Sequence, residues 1–289
     1  MFNNLPKPDI NWKLYLDDFF DSRTKYKVFY SSIRKDYIHS HLNYDQSCAD
    51  FNIISPLDLR KYTQNPNDVD HKINTLKNLY LSKTSYFCDL LDELRSKNEL
   101  QSCPNCGEDG SPNTLDHYLP KVTYPELSVC IYNLIPMCSK CQSEKSTDYK
   151  GVNNNKLFFH PYYDNYTEDM YILEFLPSPT YKTPRISIKV RNQLPSEIRE
   201  LAMSQFNELN LSLRFNSFIT QTYGTAVENL LDTNMDVNSL LEIFIRMHLK
   251  KGVNNWNVIL YKSMLENPNF ISWIVSGRLR KNLGILDNY

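Results

Sequence analysis

The sequence contains no run of about 18 apolar residues, which excludes a membrane-spanning helix. Its opening residues, MFNNLPKPDINWK, lack the apolar core and small-residue cleavage site of a signal peptide, so a cytoplasmic protein with no membrane partner is expected. Excess charge is also missing. The formal net charge is −1, which argues against broad electrostatic attraction to nucleic acid but leaves a local basic surface open. No internal repeat and no low-complexity segment is visible. Glycine is scarce, at 7 residues, while tyrosine numbers 20, and that imbalance carries no functional signal.

The chain has 289 residues and 41% hydrophobic content, enough for one large core or two modest ones. Its seven cysteines are an odd number, and they cluster. Four form two Cys-x-x-Cys pairs, Cys103/Cys106 and Cys138/Cys141, a pattern that favours metal binding over a disulfide framework. Cys48, Cys88 and Cys130 read as small buried hydrophobes.

The fold class expected is α+β and mostly helical, in three parts: a helical region over 1–100, a central zinc-stabilised module over 101–165, and a β-hairpin with helices over 166–289. Asp9 is placed to cap a helix with Ile10, Leu14, Leu16, Phe19 and Phe20 on its apolar side. A second helix is expected from Ser55, with Pro56 at the first helical position. Val69, Ile73, Leu76, Tyr80, Lys83, Phe87, Leu90 and Leu94 alternate spacings of four and three, predicting one helix of about seven turns. Its stripe packs within the chain, or forms a coiled-coil contact with another protein. His39, His41 and His71 in this region read as structural or exposed.

Further on, Tyr171–Leu176 and Arg185–Val190 read as two strands around Pro177, Pro179 and Pro184, the second alternating Ile186, Ile188 and Val190. A helix follows from Pro195, with Ser196 as its cap, Glu197 and Glu200 near its positive end, and Leu201, Phe206, Leu209 and Leu213 supplying an apolar face. Two more are expected at about 237–250, opening at Asn238 or Ser239, and at 254–266. Arg246, Lys250, Lys251, Lys262, Arg278, Arg280 and Lys281 stand against the single acid Glu266, which makes this end a candidate phosphate-facing surface or a solvated helix face.

Two Cys-x-x-Cys knuckles complete a tetrahedral four-thiolate site, the usual structural zinc arrangement, with Pro104 and Gly107 favouring the tight turn. Redox pairs or metal-free thiols are the alternative. Cys106 and Cys138 are separated by 31 residues, more than the commonest zinc ribbon and about what an inserted active-site hairpin needs. Asp116 and His117 lie in that interval. On a strand their side chains point to opposite faces. A carboxylate suits a hard cation such as Mg²⁺, and a neutral histidine can take a proton from water.

The order Cys-x-x-Cys, Asp-His, Asn, Cys-x-x-Cys resembles the HNH endonucleases, the ββα-metal nucleases, over about 60 residues. The resemblance implies a metal-dependent phosphodiester hydrolase. Asp116 takes the place of the first metal ligand, His117 that of the general base, and Asn133 that of the residue bracing the loop and orienting the histidine. The second Cys-x-x-Cys opens the helix of the motif. Where the family has His or Asn after the last cysteine, this chain has Gln142, whose longer side chain moves the oxygen, with Ser146 one turn further on the same face. The implied cofactors are a structural Zn²⁺ on the four cysteines and a catalytic Mg²⁺ or Mn²⁺ on Asp116 and Gln142. Lys121 and Lys145 contact the nucleic-acid backbone or are solvated.

More narrowly, Leu-Asp-His-Tyr-Leu-Pro-Lys, Asn-Leu-Ile-Pro-Met-Cys, Phe-His-Pro-Tyr-Tyr-Asp at 159–164 and the Gly252–Phe270 stretch look like the HNH subunits of Septu-type and retron-linked anti-phage systems. His160 matches a recurrent position there, site-lining or structural. That resemblance implies nucleic acid, with DNA favoured, as substrate, and an ATPase of the ABC or SMC type, with a retron reverse transcriptase, as partners. Two other readings stand beside it: an inactive zinc-stabilised docking module, and an RNA or tRNA nuclease.

Overall fold

The computed structural model describes residues 5–81, 85–96, 99–164, 167–176 and 180–282. It is an α+β protein in which helices predominate, with two two-stranded antiparallel sheets among the described residues. These residues form two compact units. One joins 5–100 to 111–164, and the other joins 101–110 to 167–282. The segment 101–165, expected as one module, is thus shared: its first knuckle goes with the C-terminal helices, and the rest goes with the N-terminal ones.

The first unit is built on an aromatic core. Helix α2 (Lys27–Gln46) buries Phe29, Tyr30, Ile33, Tyr37, His41 and Tyr44, a stripe at helical spacing. It meets Leu16, Phe19 and Phe20 of α1 (Trp12–Asp21), Leu76 of α3 (Val69–Lys77) and Phe87, Leu90 and Leu94 of α4 (Ser85–Ser96). Each large apolar side chain removed from water contributes about 1.5–3 kcal/mol. The same core takes in Leu115, Val129, Ile131 and Leu134, so the segment carrying the Asp-His pair packs directly on the helices. Hydrogen bonds pin it there. Tyr15 Oη donates to Val129 O (2.9 Å), and Ser128 Oγ donates to Leu76 O (2.7 Å).

Several expectations need correction. The seven-turn helix is broken. After α3 the chain tightens into a 3₁₀ turn over Asn78–Leu81 before α4 begins. The break carries Leu79 into the core and leaves Tyr80 beside His117, which an unbroken period would not do. Lys83 lies outside the described residues, as do Pro177 and Pro179 and the side chain of Leu14. No helix starts at Ser55. The Leu57 amide instead donates to the buried Glu126 carboxylate (3.0 Å), and Asp58 caps a short 3₁₀ turn, Leu59–Tyr62. The first helix begins at Trp12, beyond the reach of Asp9 as its cap. Cys48 is exposed and Cys88 half-buried, so of the three scattered cysteines only Cys130 is a buried hydrophobe.

The second unit centres on α9 (Trp256–Leu265), which buries Trp256, Val258, Ile259, Leu260, Ser263 and Met264 around its circumference, as an enclosed helix does. Strands β3 (Tyr171–Leu176) and β4 (Arg185–Val190) form the expected hairpin. Asn254 accepts from the Met170 amide (2.8 Å) and Ser263 Oγ from the Leu173 amide (2.9 Å), tying the hairpin to α9. Helix α6 (Ser196–Glu208) has Ser196 as its first residue, with Pro195 in the cap position. Helix α7 (Leu211–Leu231) follows, and α8 (Val237–Leu249) is capped by Asp236. Helix α10 (Pro268–Asn282) closes the unit.

The first knuckle docks on the start of α9. Trp256 Nε1 donates to Cys106 O (2.5 Å), Asn255 Nδ2 to Gly107 O (3.0 Å), and Gln205 Nε2 to Asn105 O (2.6 Å). Gly107 has φ +80°, and a Cβ there would lie 2.0 Å from Asn254 O. Backbone cannot yield that far cheaply. Gly107→Ala is therefore expected to cost roughly 2–3 kcal/mol, from left-handed strain plus overpacking. Urea titration of the purified variant measures it, and a midpoint unchanged from wild type would contradict the docking geometry.

Candidate functional site

The cysteine pairs are placed by local structure. In the first, the Gly107 amide donates to Cys103 O (2.9 Å) and the Cys103 amide to Glu108 O (3.0 Å), closing a tight turn. In the second, Cys138 caps α5 (Ser139–Lys145), its sulfur accepting from the Cys141 amide (3.5 Å). The four sulfur atoms lie within 4.8 Å of one another, close enough to bind a metal ion. Tetrahedral zinc with bonds of about 2.3 Å sets its sulfurs about 3.8 Å apart, so the donor set fits. The Cys106 sulfur also accepts from Arg214 Nη2 (3.3 Å), a charge-assisted bond that suits a thiolate.

Strand β1 (Thr114–His117) pairs antiparallel with β2 (Leu134–Met137), Asp116 opposite Ile135 and His117 opposite Leu134. Helix α5 follows, so the order of elements is β, β, α. Asp116, His117, Gln142 and Ser146 all line one cavity of about 670 Å³, together with Tyr80, Arg95 and Lys121. The structure thus brings the expected residues to one place.

Within it, His117 is 9% exposed. Its Nε2 lies 2.9 Å from Ser128 O. A carbonyl only accepts, so Nε2 carries the proton and Nδ1 keeps its lone pair. Burial pushes its pKa down to about 4, and the bond to Ser128 only partly opposes this. The ring is neutral at physiological pH. Tyr80 meets it edge-on, 4.8 Å between centroids, and Arg95 Nη2 donates to the Tyr80 hydroxyl (3.0 Å).

Asp116 is also buried. Burial raises its pKa, while Lys145 Nζ, 2.8 Å from Oδ2, works in the other direction. Lys145 is 1% exposed, which corrects the reading of it as a solvated lysine. Lys121 is partly buried over the Tyr80 ring (5.0 Å), and its pKa is lowered by desolvation and then by Lys77. Gln142 donates its Nε2 to Leu115 O (3.0 Å), which leaves the amide oxygen as the side chain's free acceptor.

Asn133 is fully buried. Its Oδ1 accepts from the Leu119 amide (2.8 Å), and its Nδ2 donates to Leu119 O (3.0 Å) and Leu127 O (3.3 Å). It braces the 118–127 loop as expected, but the direct hold on the histidine comes from Ser128. His160 sits outside the cavity lining. It accepts from the Tyr162 amide at Nδ1 (3.2 Å), so its Nε2 donates to the Tyr44 hydroxyl (3.0 Å). With burial holding its pKa well down, its part is structural.

Tyr80, Arg95 and Ser128 were missed from the sequence. Tyr80 was visible only as one more apolar position, and nothing in the sequence marks Arg95 or Ser128. Part of the charge of the basic C-terminal stretch is compensated. Lys251 pairs with Asp109 (2.7 Å), Lys262 with Asp169 (2.6 Å) and Lys281 with Asp232, while Arg278 is bound to Leu230 O and Met235 O. The Arg280 side chain lies outside the described residues. No helix among the described residues is long and apolar enough to cross a membrane.

A relative is found in a phage. The chain is 24% identical to protein ea31 of Escherichia phage lambda over 218 residues, 70% of this chain and 72% of that protein. No protein-family model matches the chain, and no solved structure does.

Proposed function

We propose that this chain is a metal-dependent endonuclease of the HNH type that hydrolyses phosphodiester bonds, with DNA as the favoured substrate. The observation that carries the reading is the strand-borne Asp116–His117 pair. Both side chains line one cavity, and helix α5, which follows the β1–β2 pair, adds Gln142 to it.

The residues supply the parts such a reaction needs. His117, neutral and held by Ser128 through Nε2, presents Nδ1 as the base that takes a proton from the attacking water. The Asp116 carboxylate and the Gln142 amide oxygen fit a hard cation such as Mg²⁺ or Mn²⁺. That ion, when bound, stabilises charge developing on the phosphate and the leaving oxygen. Lys121 gives the same cavity a positive group for an anionic backbone. The four cysteines fit a structural Zn²⁺ with every position filled by protein. On this reading the chain is the effector of an anti-phage system, working beside an ABC- or SMC-type ATPase.

Plasmid nicking in Mg²⁺ or Mn²⁺, with the ATPase present, tests it. Wild type is expected to nick, and His117→Ala to lose about 10²–10⁴-fold in rate. Equal inertness of both proteins leaves the docking-module reading in its place. RNA and tRNA in parallel reactions decide the polymer.

A further inference from the structure

This inference rests on the nuclease reading and concerns the charge of its site. Lys145 ends α5 and is 1% exposed. Its ammonium group lies 2.8 Å from Asp116 Oδ2, donates to His117 O (3.1 Å) and stands 5.7 Å over the Phe158 ring. Asp116 Oδ2 is itself enclosed and meets no other donor. An isolated buried charge of either sign is costly, and each group is retained here because the other is present.

We propose that Lys145 is the built-in counter-ion of Asp116, so that this site takes a divalent cation only together with an anionic phosphate of the substrate. The charges support it. Asp116 contributes one negative charge and Lys145, 2.8 Å away, one positive, while the Gln142 amide contributes none. Lys121 lines the same cavity and adds positive charge, whereas Arg95 beside it is paired with Asp92 (4.0 Å). A divalent ion entering alone would bring two further positive charges into a partly desolvated space with no net negative charge to meet them. Sites that hold such cations unaided supply several carboxylate oxygens, whereas this one supplies a single carboxylate, already paired. A phosphodiester brings the missing negative charge.

Mn²⁺ binding to the full-length protein, followed by electron paramagnetic resonance, tests the inference without reference to turnover. Phosphorothioate-linked DNA and RNA serve as uncleaved substrates in separate arms, and Asp116→Asn supplies the background of Mn²⁺ bound by the nucleic acid. Wild type is expected to bind Mn²⁺ at least tenfold more tightly with one of the two polymers present. Lys145→Met is expected to bind Mn²⁺ at least tenfold more tightly than wild type when no polymer is present. Thermal melts establish that the variant folds. If it does not, the wild-type comparison with and without polymer still decides. Equal Mn²⁺ affinity in wild type with and without polymer overturns the inference, as does a folded Lys145→Met indistinguishable from wild type. Either result alongside plasmid nicking leaves the nuclease reading standing. Absence of both Mn²⁺ binding and nicking removes both.

Discussion

Replacing Cys141 by Ser, or stripping metal with a strong chelator, is expected to produce the largest loss of stability of any local change in this chain. Structural zinc in small peptide modules contributes about 10–16 kcal/mol of apparent binding energy at neutral pH, and that energy is available to the fold. Helix α5 shows why so much depends on it. The helix spans Ser139–Lys145, far below the length at which an isolated helix persists in water. Cys138 caps it, and Cys141 is buried at its centre. With the metal gone, the four sulfurs, within 4.8 Å of one another, lose the ion that would draw them together. Gln142 and Lys145 ride on the same helix, so the contacts to Leu115 O and Asp116 are lost with it. Metal analysis should return one zinc per chain for wild type and none for Cys141→Ser. Calorimetry should show the melting transition of the variant lowered by more than 10 °C, since each kcal/mol moves a domain of this size by about 2–4 °C. A metal-free wild type that melts at the same temperature as the loaded one would end the structural-zinc reading.

How far the sequence disclosed the molecule depends on how local each determinant is. The hairpin of β3 and β4 was legible because alternation is a two-residue pattern, while its register, Tyr171 opposite Val190, is set by the structure. The site was legible as an order of residues. Asp116, His117 and Gln142 line one cavity, and the four cysteine sulfurs lie close together. The break after α3 was not legible, because the apolar row runs on unbroken through Tyr80, and only the demand of the core for Leu79 turns the chain. Lys145 was misjudged for a related reason. A lysine on a short helix is normally solvated, and the partner that buries it, Asp116, lies 29 residues earlier. In the basic C-terminal stretch Lys251, Lys262 and Lys281 meet Asp109, Asp169 and Asp232, which lie outside it in sequence, so a linear charge count does not reveal those pairs.

The buried amide of Asn133 leads to the second large effect. Asn133→Ala removes one acceptor and two donor contacts at a position with no exposure to solvent, leaving the Leu119 amide and Leu119 O without their partners, while Leu127 O keeps the Cys130 amide. Each enclosed polar group left unpaired costs about 1–3 kcal/mol, so the two together cost on the order of 2–6 kcal/mol, with a small cavity in addition. Asp in its place separates the roles. Its carboxylate still accepts from the Leu119 amide but cannot donate to either carbonyl, and a buried negative charge faces two carbonyl oxygens. Asn133→Asp is therefore expected to be no more stable than Asn133→Ala at neutral pH and to recover as the pH is lowered and the carboxyl takes a proton. The loop that Asn133 braces runs from Leu119 to Leu127, and Ser128, which holds His117, is the next residue. Loosening the loop should thus release the histidine. Nicking should fall more steeply than the folded fraction measured under the same conditions. Loss of activity strictly proportional to unfolding would show that the brace serves stability alone, and that the Ser128 carbonyl is positioned by something else.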